Sequence, residues 1–184
     1  MVEKYSTKKL IVLEYHGKDE LSNSKSESRG NYYGIRGFPT AKFDGVKNQV
    51  GGWDDVQAAY ENIIDDLLKP AVTFNLDLSG IIGQENALIK ATITPVTTTT
   101  RSNLKLRWVI YEDNIEMKGK LHRFVVRDVL AEDNLLVQGT KAIEITKTIA
   151  INPVWKYTNL GVVAFIQDDS SKEVLQATVF KAGK

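Results

Sequence analysis

Residues 33–40 read Tyr-Gly-Ile-Arg-Gly-Phe-Pro-Thr, and the chain continues through residue 50 as Ala-Lys-Phe-Asp-Gly-Val-Lys-Asn-Gln-Val. Gly34 and Gly37 allow tight backbone turns before the proline, and an X-Pro bond adopts the cis form at a cost of about 0.5–1 kcal/mol. The next residues predict two strands, Thr40–Phe43 and Val46–Val50, joined by Asp44-Gly45. Asp-Gly is a favoured hairpin turn, because both central positions need a positive φ. The stretch therefore predicts a proline-bearing turn that leads into a β-hairpin.

Further elements are predicted on both sides of this hairpin. Upstream, the apolar run Lys9–Tyr15 is typical of a buried strand, and the polar stretch after it predicts a short exposed helix around Ser24–Tyr33. Downstream of the hairpin, the spacing changes to that of an amphipathic helix that ends before Pro70. Asp54 is its predicted N-cap, with Gln57 three residues later. The apolar stripe of this helix consists of Val56, Tyr60, Ile63, Ile64, Leu67 and Leu68.

The chain changes character at Lys69–Pro70, where we place a domain boundary between residues 1–69 and 70–184. Beyond it, seven segments alternate with period two and are separated by turn-forming residues. About seven short strands in roughly 110 residues predict an immunoglobulin-like β-sandwich, with Trp108 and Trp155 as core aromatics. The predicted strands are Val72–Leu78, Ala87–Thr94, Leu104–Tyr111, Arg123–Leu130, Ala142–Ile151, Gly161–Gln167 and Glu173–Phe180.

The order of elements in residues 1–69 resembles the second half of a thioredoxin domain, with the turn of residues 33–40 in place of that fold's cis-proline loop. The predicted fold class is therefore α+β: an incomplete thioredoxin-like (βαββα-type) N-terminal domain followed by the all-β sandwich. The resemblance implies that Pro39 is cis and that Phe38 offers its backbone amide and carbonyl to an extended peptide. Phe38, Pro39 and Thr40 are accordingly the predicted peptide-binding residues.

The chain as a whole resembles a bacterial group of twenty-eight-kilodalton outer-membrane-related proteins. The residues that carry this resemblance are His16 after the first strand, Tyr32-Tyr33-Gly34 before the proline, and the ending Val162 to Ala177. The resemblance implies a location in the cell envelope or outside the cell. Residues 1–9 are polar and lack the apolar core of a secretory signal.

Cysteine is absent from the chain. The helix that would carry the Cys-x-x-Cys motif of a thioredoxin fold is reduced to about Val2–Ser6, and the strand between Lys9–Tyr15 and Thr40–Phe43 is missing. Two unpaired sheet edges would result. We expect these two strands to pair directly or to form a homodimer through their exposed edges.

Several kinds of partner are not expected. The net charge is +1, which gives no field for nucleic acid, and no apolar run is long enough to span a membrane. No cofactor motif is present. His16 and His122 fall in different predicted domains, and two histidines without cysteine do not supply the three or four ligands that a zinc site usually needs, so no metal site is expected. His16 lies near the predicted peptide site, either as a structural histidine or as a group that tunes a neighbouring thiol in a complete parent.

Three functions remain open. The first is a non-catalytic envelope protein, or a fragment of one, that binds extended peptide or protein through the proline turn. The second is a fragment of a thiol–disulfide oxidoreductase whose catalytic cysteines lie upstream of Met1; as given, the chain is not an enzyme of that kind, because it lacks the thiolate. The third is a structural surface or adhesion module built on the sandwich.

Overall fold

The computed structural model describes residues 4–52 and 55–183, which contain two α-helices and twelve strands. The helices are α1 (Ser24–Tyr33) and α2 (Val56–Leu67). The strands are β1 (Thr40–Phe43), β2 (Lys47–Val50), β3 (Phe74–Ile82), β4 (Asn86–Pro95), β5 (Leu104–Glu112), β6 (Ile115–Met117), β7 (Lys120–His122), β8 (Val125–Val129), β9 (Asp133–Leu135), β10 (Ile143–Ala150), β11 (Leu160–Asp168) and β12 (Val174–Lys181). A 3₁₀ turn spans Tyr157–Asn159. Neither described helix has the length and apolar character that a membrane crossing requires.

Two antiparallel sheets pack face to face from β3 onward. One has the order β10-β4-β3, and the other has the order β12-β11-β5-β8, with the short β9 also paired to β5. Alternation in β4 explains the packing, because Ala87, Ile89, Ala91 and Ile93 point inward and are fully buried. Trp108 is fully buried in the same core, and its Nε1–H donates to Asp133 at 2.8 Å. All seven strands predicted after Pro70 are found, and Trp155 packs at the margin of the core.

A second apolar layer covers the outer face of the five-stranded sheet. It contains the buried residues Val109, Tyr111, Val126, Val163 and Phe165, with Ile11, Leu13 and Tyr15 packed against them. The strands β5 and β11 are therefore covered on both faces, which explains their unbroken runs of buried residues.

The segment around Glu14 also extends this sheet. Its backbone bridges Val125 in parallel, because the Glu14 N–H donates to Phe124 and the Glu14 carbonyl accepts from Val126, at 2.8 and 2.9 Å. The predicted direct pairing of Lys9–Tyr15 with Thr40–Phe43 is therefore wrong within the described residues. The apolar side chains of the segment are buried by the sandwich rather than by a sheet of their own.

The predicted α+β class is wrong. The described chain is mainly antiparallel β, and its first seventy residues contribute two helices and the two-stranded sheet β1-β2. A thioredoxin-like domain, with a central sheet flanked by several helices, is not formed by the described residues. The local elements were predicted in about the right places, but the segment around Glu14 pairs with the sandwich rather than with the β1-β2 hairpin. The helix remnant predicted over Val2–Ser6 lies partly outside the described residues.

Helix α1 begins and ends as the sequence indicates. The Asn23 side chain caps it by accepting from Ser26 N–H at 2.9 Å, and Asn23 Nδ2 also donates to Val126 at 3.0 Å. Gly34 ends the helix at φ +68°, a left-handed conformation that suits glycine. The helix was predicted to be exposed, but Ser26 and Arg29 are buried against the sandwich.

Helix α2 covers one face of the β1-β2 hairpin. The Phe43 and Tyr60 rings meet edge to face with centroids 5.2 Å apart, and Tyr5 donates its hydroxyl to Asp65 at 2.8 Å. The predicted N-cap Asp54 lies outside the described residues. Asp55 directly precedes the helix and makes no side-chain cap.

Three tyrosines should resist ionisation at alkaline pH. Burial raises the pKa of Tyr15 and of Tyr111 to about 12, and burial together with the hydrogen bond to Asp169 raises the pKa of Tyr32 to about 12. A tyrosine in the unfolded chain ionises near pH 10. The stability contributed by the protonated native tyrosines is therefore present below pH 10 and is lost as the pH rises from about 10 to about 12.

An alkaline titration followed by phenolate absorbance tests this expectation. We expect part of the signal to appear only near pH 12, together with unfolding, and we expect the Tyr15→Phe variant to lose part of that late signal. A single transition of all tyrosines near pH 10 in the folded protein would contradict it.

Candidate functional site

The Phe38–Pro39 peptide bond is cis. Two hydrogen bonds hold the turn: Thr40 Oγ1 donates to the Gly37 carbonyl at 2.7 Å, and Gly51 N–H donates to the Pro39 carbonyl at 2.9 Å. Phe38 is 65% exposed. Its backbone N–H and carbonyl have no hydrogen-bond partner among residues 4–52 and 55–183. The turn thus presents an aromatic ring and free backbone groups at the surface.

The outer edge of β1 continues this surface. Strand β1 pairs with β2 in the register Thr40 opposite Val50 and Lys42 opposite Asn48. Because the Pro39 carbonyl already accepts from Gly51, the alternation of an antiparallel ladder directs the backbone groups of Thr40 and Lys42 away from β2. Within the described part of the chain, no strand pairs with that edge.

A groove lies on the face of the hairpin opposite α2. Its volume is about 240 Å³, and the segment 33–37 forms one wall. The hairpin contributes Thr40, Lys42, Asn48 and Val50, while Arg36 adds a second cationic side chain. This volume accommodates one or two side chains of a bound segment rather than a drug-sized molecule.

A smaller cavity of about 90 Å³ borders the hairpin on its other side. Lys9, Leu10 and Ile11 face Lys42, Phe43 and Asp44 across it, and the end of α2 closes it. The N-terminal segment therefore approaches β1 without pairing with it.

The residue that follows His16 lies against the proline turn. A Cβ atom built on the following residue, Gly17, would come within 2.8 Å of the Phe38 ring. The His16 side chain is 8% exposed, and its Nδ1 lies 2.7 Å from Asp19 Oδ2. The turn that contains Phe38, Pro39 and Thr40 is contiguous with this neighbourhood.

A polar cluster fixes the segment 23–37 on the sandwich, and sequence reasoning missed its central residue. The Arg29 guanidinium lies 4.5 Å from the Tyr32 ring centroid and 4.6 Å from that of Tyr33. Arg29 Nη2 donates to Tyr33 Oη at 2.6 Å and to Gln167 Oε1 at 3.3 Å. The only sequence signal was the Tyr32-Tyr33 pair, since Arg29 stands in a stretch otherwise typical of an exposed helix.

A second residue missed by the sequence analysis belongs to the neighbourhood of His16. His122, predicted in a different domain, has its ring centroid 5.3 Å from that of His16. It ends β7, and the hairpin β6-β7 carries it to the segment that follows Glu14. Nothing in the local pattern of either histidine indicates this contact.

Comparison with known proteins finds similarity among solved structures. No family model and no curated protein match the sequence. Among solved structures, HBP35 of Porphyromonas gingivalis is similar over 92% of this chain and 62% of its own length, with a TM-score of 0.76 and 18% identity. The chain thus spans less than two thirds of that protein. At this identity the likeness shows a shared fold and nothing more.

A domain of the outer membrane lipoprotein Omp28 from the same organism also matches. The match covers 61% of this chain and 90% of the Omp28 domain, at 16% identity. Its TM-score of 0.44 is too low to support an argument from structure.

Proposed function

We propose that this chain is a non-catalytic cell-envelope protein that binds an extended peptide or protein segment along the outer edge of β1. The observation that carries the proposal is the run of outward-facing backbone groups at Thr40 and Lys42, next to the exposed Phe38. A bound segment would add a strand to this edge, so its main chain would supply affinity. Its alternate side chains would enter the adjoining groove.

The chemistry of the groove indicates a preferred segment. Arg36 and Lys42 place two positive charges there, and Val50 is 58% exposed at one end. An acidic side chain followed, two residues on, by an apolar one would complement this lining.

The envelope location is supported by the sequence resemblance to outer-membrane-related proteins. The fold shared with HBP35 is compatible with that resemblance. Fractionation of the native bacterium, followed by detection of the chain with a specific antibody, tests this part of the proposal. Recovery only in the cytosolic fraction would contradict it.

Binding should depend on the backbone of residue 42 more than on its side chain. Proline at this position removes the outward N–H while leaving the ladder to β2 intact, since that N–H does not bond to β2. We expect Lys42→Pro to weaken binding at least about tenfold, a loss of about 1.4 kcal/mol, and Lys42→Ala to weaken it by a smaller factor. The measurement is the affinity for an array of short synthetic peptides that alternate acidic and apolar residues.

Phe38→Ala provides a second test at the same edge. Loss of an exposed aromatic contact should cost about 1–2 kcal/mol of binding energy. Leu136→Ala is the matched control, because Leu136 is another exposed apolar residue, 81% accessible, outside the groove. Equal affinities for Lys42→Pro and Lys42→Ala would exclude binding of an extended peptide along the edge of β1. The absence of any peptide bound by the unchanged protein would exclude it too.

The homodimer predicted from the sequence would use the same free edge, with a second copy in place of the peptide. It stays a prediction. A solution mass measurement on the unchanged chain and on Lys42→Pro distinguishes a dimer through β1 from a monomer that keeps the edge free.

A further inference from the structure

Three metal-ligating side chains meet between the N-terminal segment and the β6-β7 hairpin. One potential ligand atom from each of Glu14, His16 and His122 lies within 4.8 Å of the others. Glu14 is held there by its parallel bridge to Val125, and His122 by its pairing with Ile115. An ion pair between Lys118 and Glu20 also ties the tip of the hairpin to the segment.

His16 is oriented as a ligand would be. Asp19 Oδ2 accepts a hydrogen bond from Nδ1 at 2.7 Å, so the neutral imidazole carries its proton on Nδ1 and presents Nε2 as the nitrogen that can bind a metal. Metal-binding histidines are commonly held in this way by a carboxylate on the nitrogen that does not bind the metal.

The free nitrogen of His16 is buried and unpartnered. Nε2 has no hydrogen-bond partner among the described residues, although the side chain is only 8% exposed. Glu14 Oε2 lies 3.5 Å from it. A buried nitrogen without a partner is unfavourable, and a bound cation at this position would supply the missing partner.

We propose that Glu14, His16 and His122 bind one divalent transition-metal ion, with Zn²⁺ as the reference ion. Two imidazole nitrogens favour zinc and its neighbours over Mg²⁺ and Ca²⁺, which prefer oxygen ligands. Two histidines and one carboxylate form a three-ligand zinc set that leaves the fourth position open.

The geometry requires only a small closure. Bond lengths of about 2.0–2.2 Å in a tetrahedral site place ligand atoms about 3.3–3.6 Å apart. The His16–Glu14 pair already has this separation. Pairs at the 4.8 Å limit must close by about 1.5 Å at most, which rotation of the exposed Glu14 side chain and a shift of the hairpin can supply.

The inference is independent of peptide binding, because it rests on residues outside the groove. It adds a metal-dependent connection between the N-terminal segment and the sandwich. Metal bound to the folded chain but not to the unfolded one stabilises the fold by mass action.

Calorimetric titration of the untagged, chelator-treated chain with ZnCl₂ tests the site. We expect one ion per chain with a Kd below about 10 μM, close to −7 kcal/mol. Glu14→Gln and His122→Gln should each weaken binding by more than tenfold. Asp19→Asn should weaken it by about 10–100-fold, as expected for a residue that orients a ligand. Glu116→Gln is the matched control, since Glu116 lies on the same hairpin but not among the three ligands.

Titration with Co²⁺ provides a second measurement that does not depend on stability. A low-symmetry site with nitrogen and oxygen ligands gives visible absorption bands, which His122→Gln should abolish. If Zn²⁺ does not bind at one ion per chain, or if it binds equally to His122→Gln and to the unchanged chain, the proposal is wrong. Glu14 is exposed and His122 is only partly buried, so their variants report on metal binding without removing a core side chain.

Discussion

Replacing Arg29 with alanine is expected to lower the free energy of unfolding by about 3–5 kcal/mol. The side chain is buried and lies against the rings of Tyr32 and Tyr33, so the change removes cation–π contacts of about 2 kcal/mol in a desolvated setting. It also removes the donor to Gln167 Oε1 and leaves a space where the guanidinium packed. No carboxylate lies within ion-pair distance of Arg29 in the described part of the chain, so the aromatic rings and neutral acceptors supply its stabilisation.

Urea unfolding of Arg29→Ala, Arg29→Lys and Arg36→Ala measures this effect. Lysine keeps the charge but cannot form the same planar stacking, so Arg29→Lys should recover only a part of the loss. Arg36 is exposed and should change stability by less than about 0.5 kcal/mol. A loss below 1 kcal/mol in Arg29→Ala would show that α1 does not depend on this cluster for its position.

Replacing Gly45 with alanine is expected to destabilise the protein by about 2–4 kcal/mol. Asp44 and Gly45 adopt φ values of +41° and +73°, as predicted for the Asp-Gly turn. A Cβ atom on Gly45 would lie 1.9 Å from the Lys172 carbonyl oxygen, a backbone atom that cannot rotate away. The same turn is tied to the sandwich where Val174 N–H donates to the Asp44 carbonyl at 2.8 Å. Alanine would therefore separate the hairpin from the turn before β12.

Gly119→Ala separates the cost of the positive φ from the cost of the contact with the Lys172 carbonyl. Gly119 has a similar φ of +71°, but no atom lies within 4 Å of its built Cβ. It should show only the cost of the left-handed conformation, about 1 kcal/mol. Thermal unfolding of both variants is the measurement, and equal losses would mean that contact with Lys172 contributes nothing.

The alternation of apolar residues and the residues at the turns predicted the strands and helices of this fold well. The alternation from Ala87 to Ile93 has one interpretation, because a strand with one buried face repeats every two residues. Asp44-Gly45 was equally informative, because few dipeptides accept two positive φ values. The short strands β6, β7 and β9 were missed, since three residues are too few to show a period.

The arrangement of the N-terminal elements could not be obtained in the same way. Ile11, Leu13 and Tyr15 indicate a buried strand, but periodicity does not specify which sheet receives it. The thioredoxin-like interpretation predicted that the strand pairs with the hairpin or with a second copy of the chain, whereas the structure places it on the outer face of β5 and β11. The same difficulty hid the contact of His16 with His122, which depends on residues far apart in the sequence.

The N-terminal layer has a practical consequence for shortened versions of the protein. A truncated chain that begins near Pro70 would retain every strand from β3 onward. Val109, Val163 and Phe165 would then form a continuous apolar patch exposed to water. Such a truncated chain should aggregate, even though the core between its two sheets is intact. The N-terminal segment therefore covers apolar residues of the sandwich that would otherwise promote aggregation.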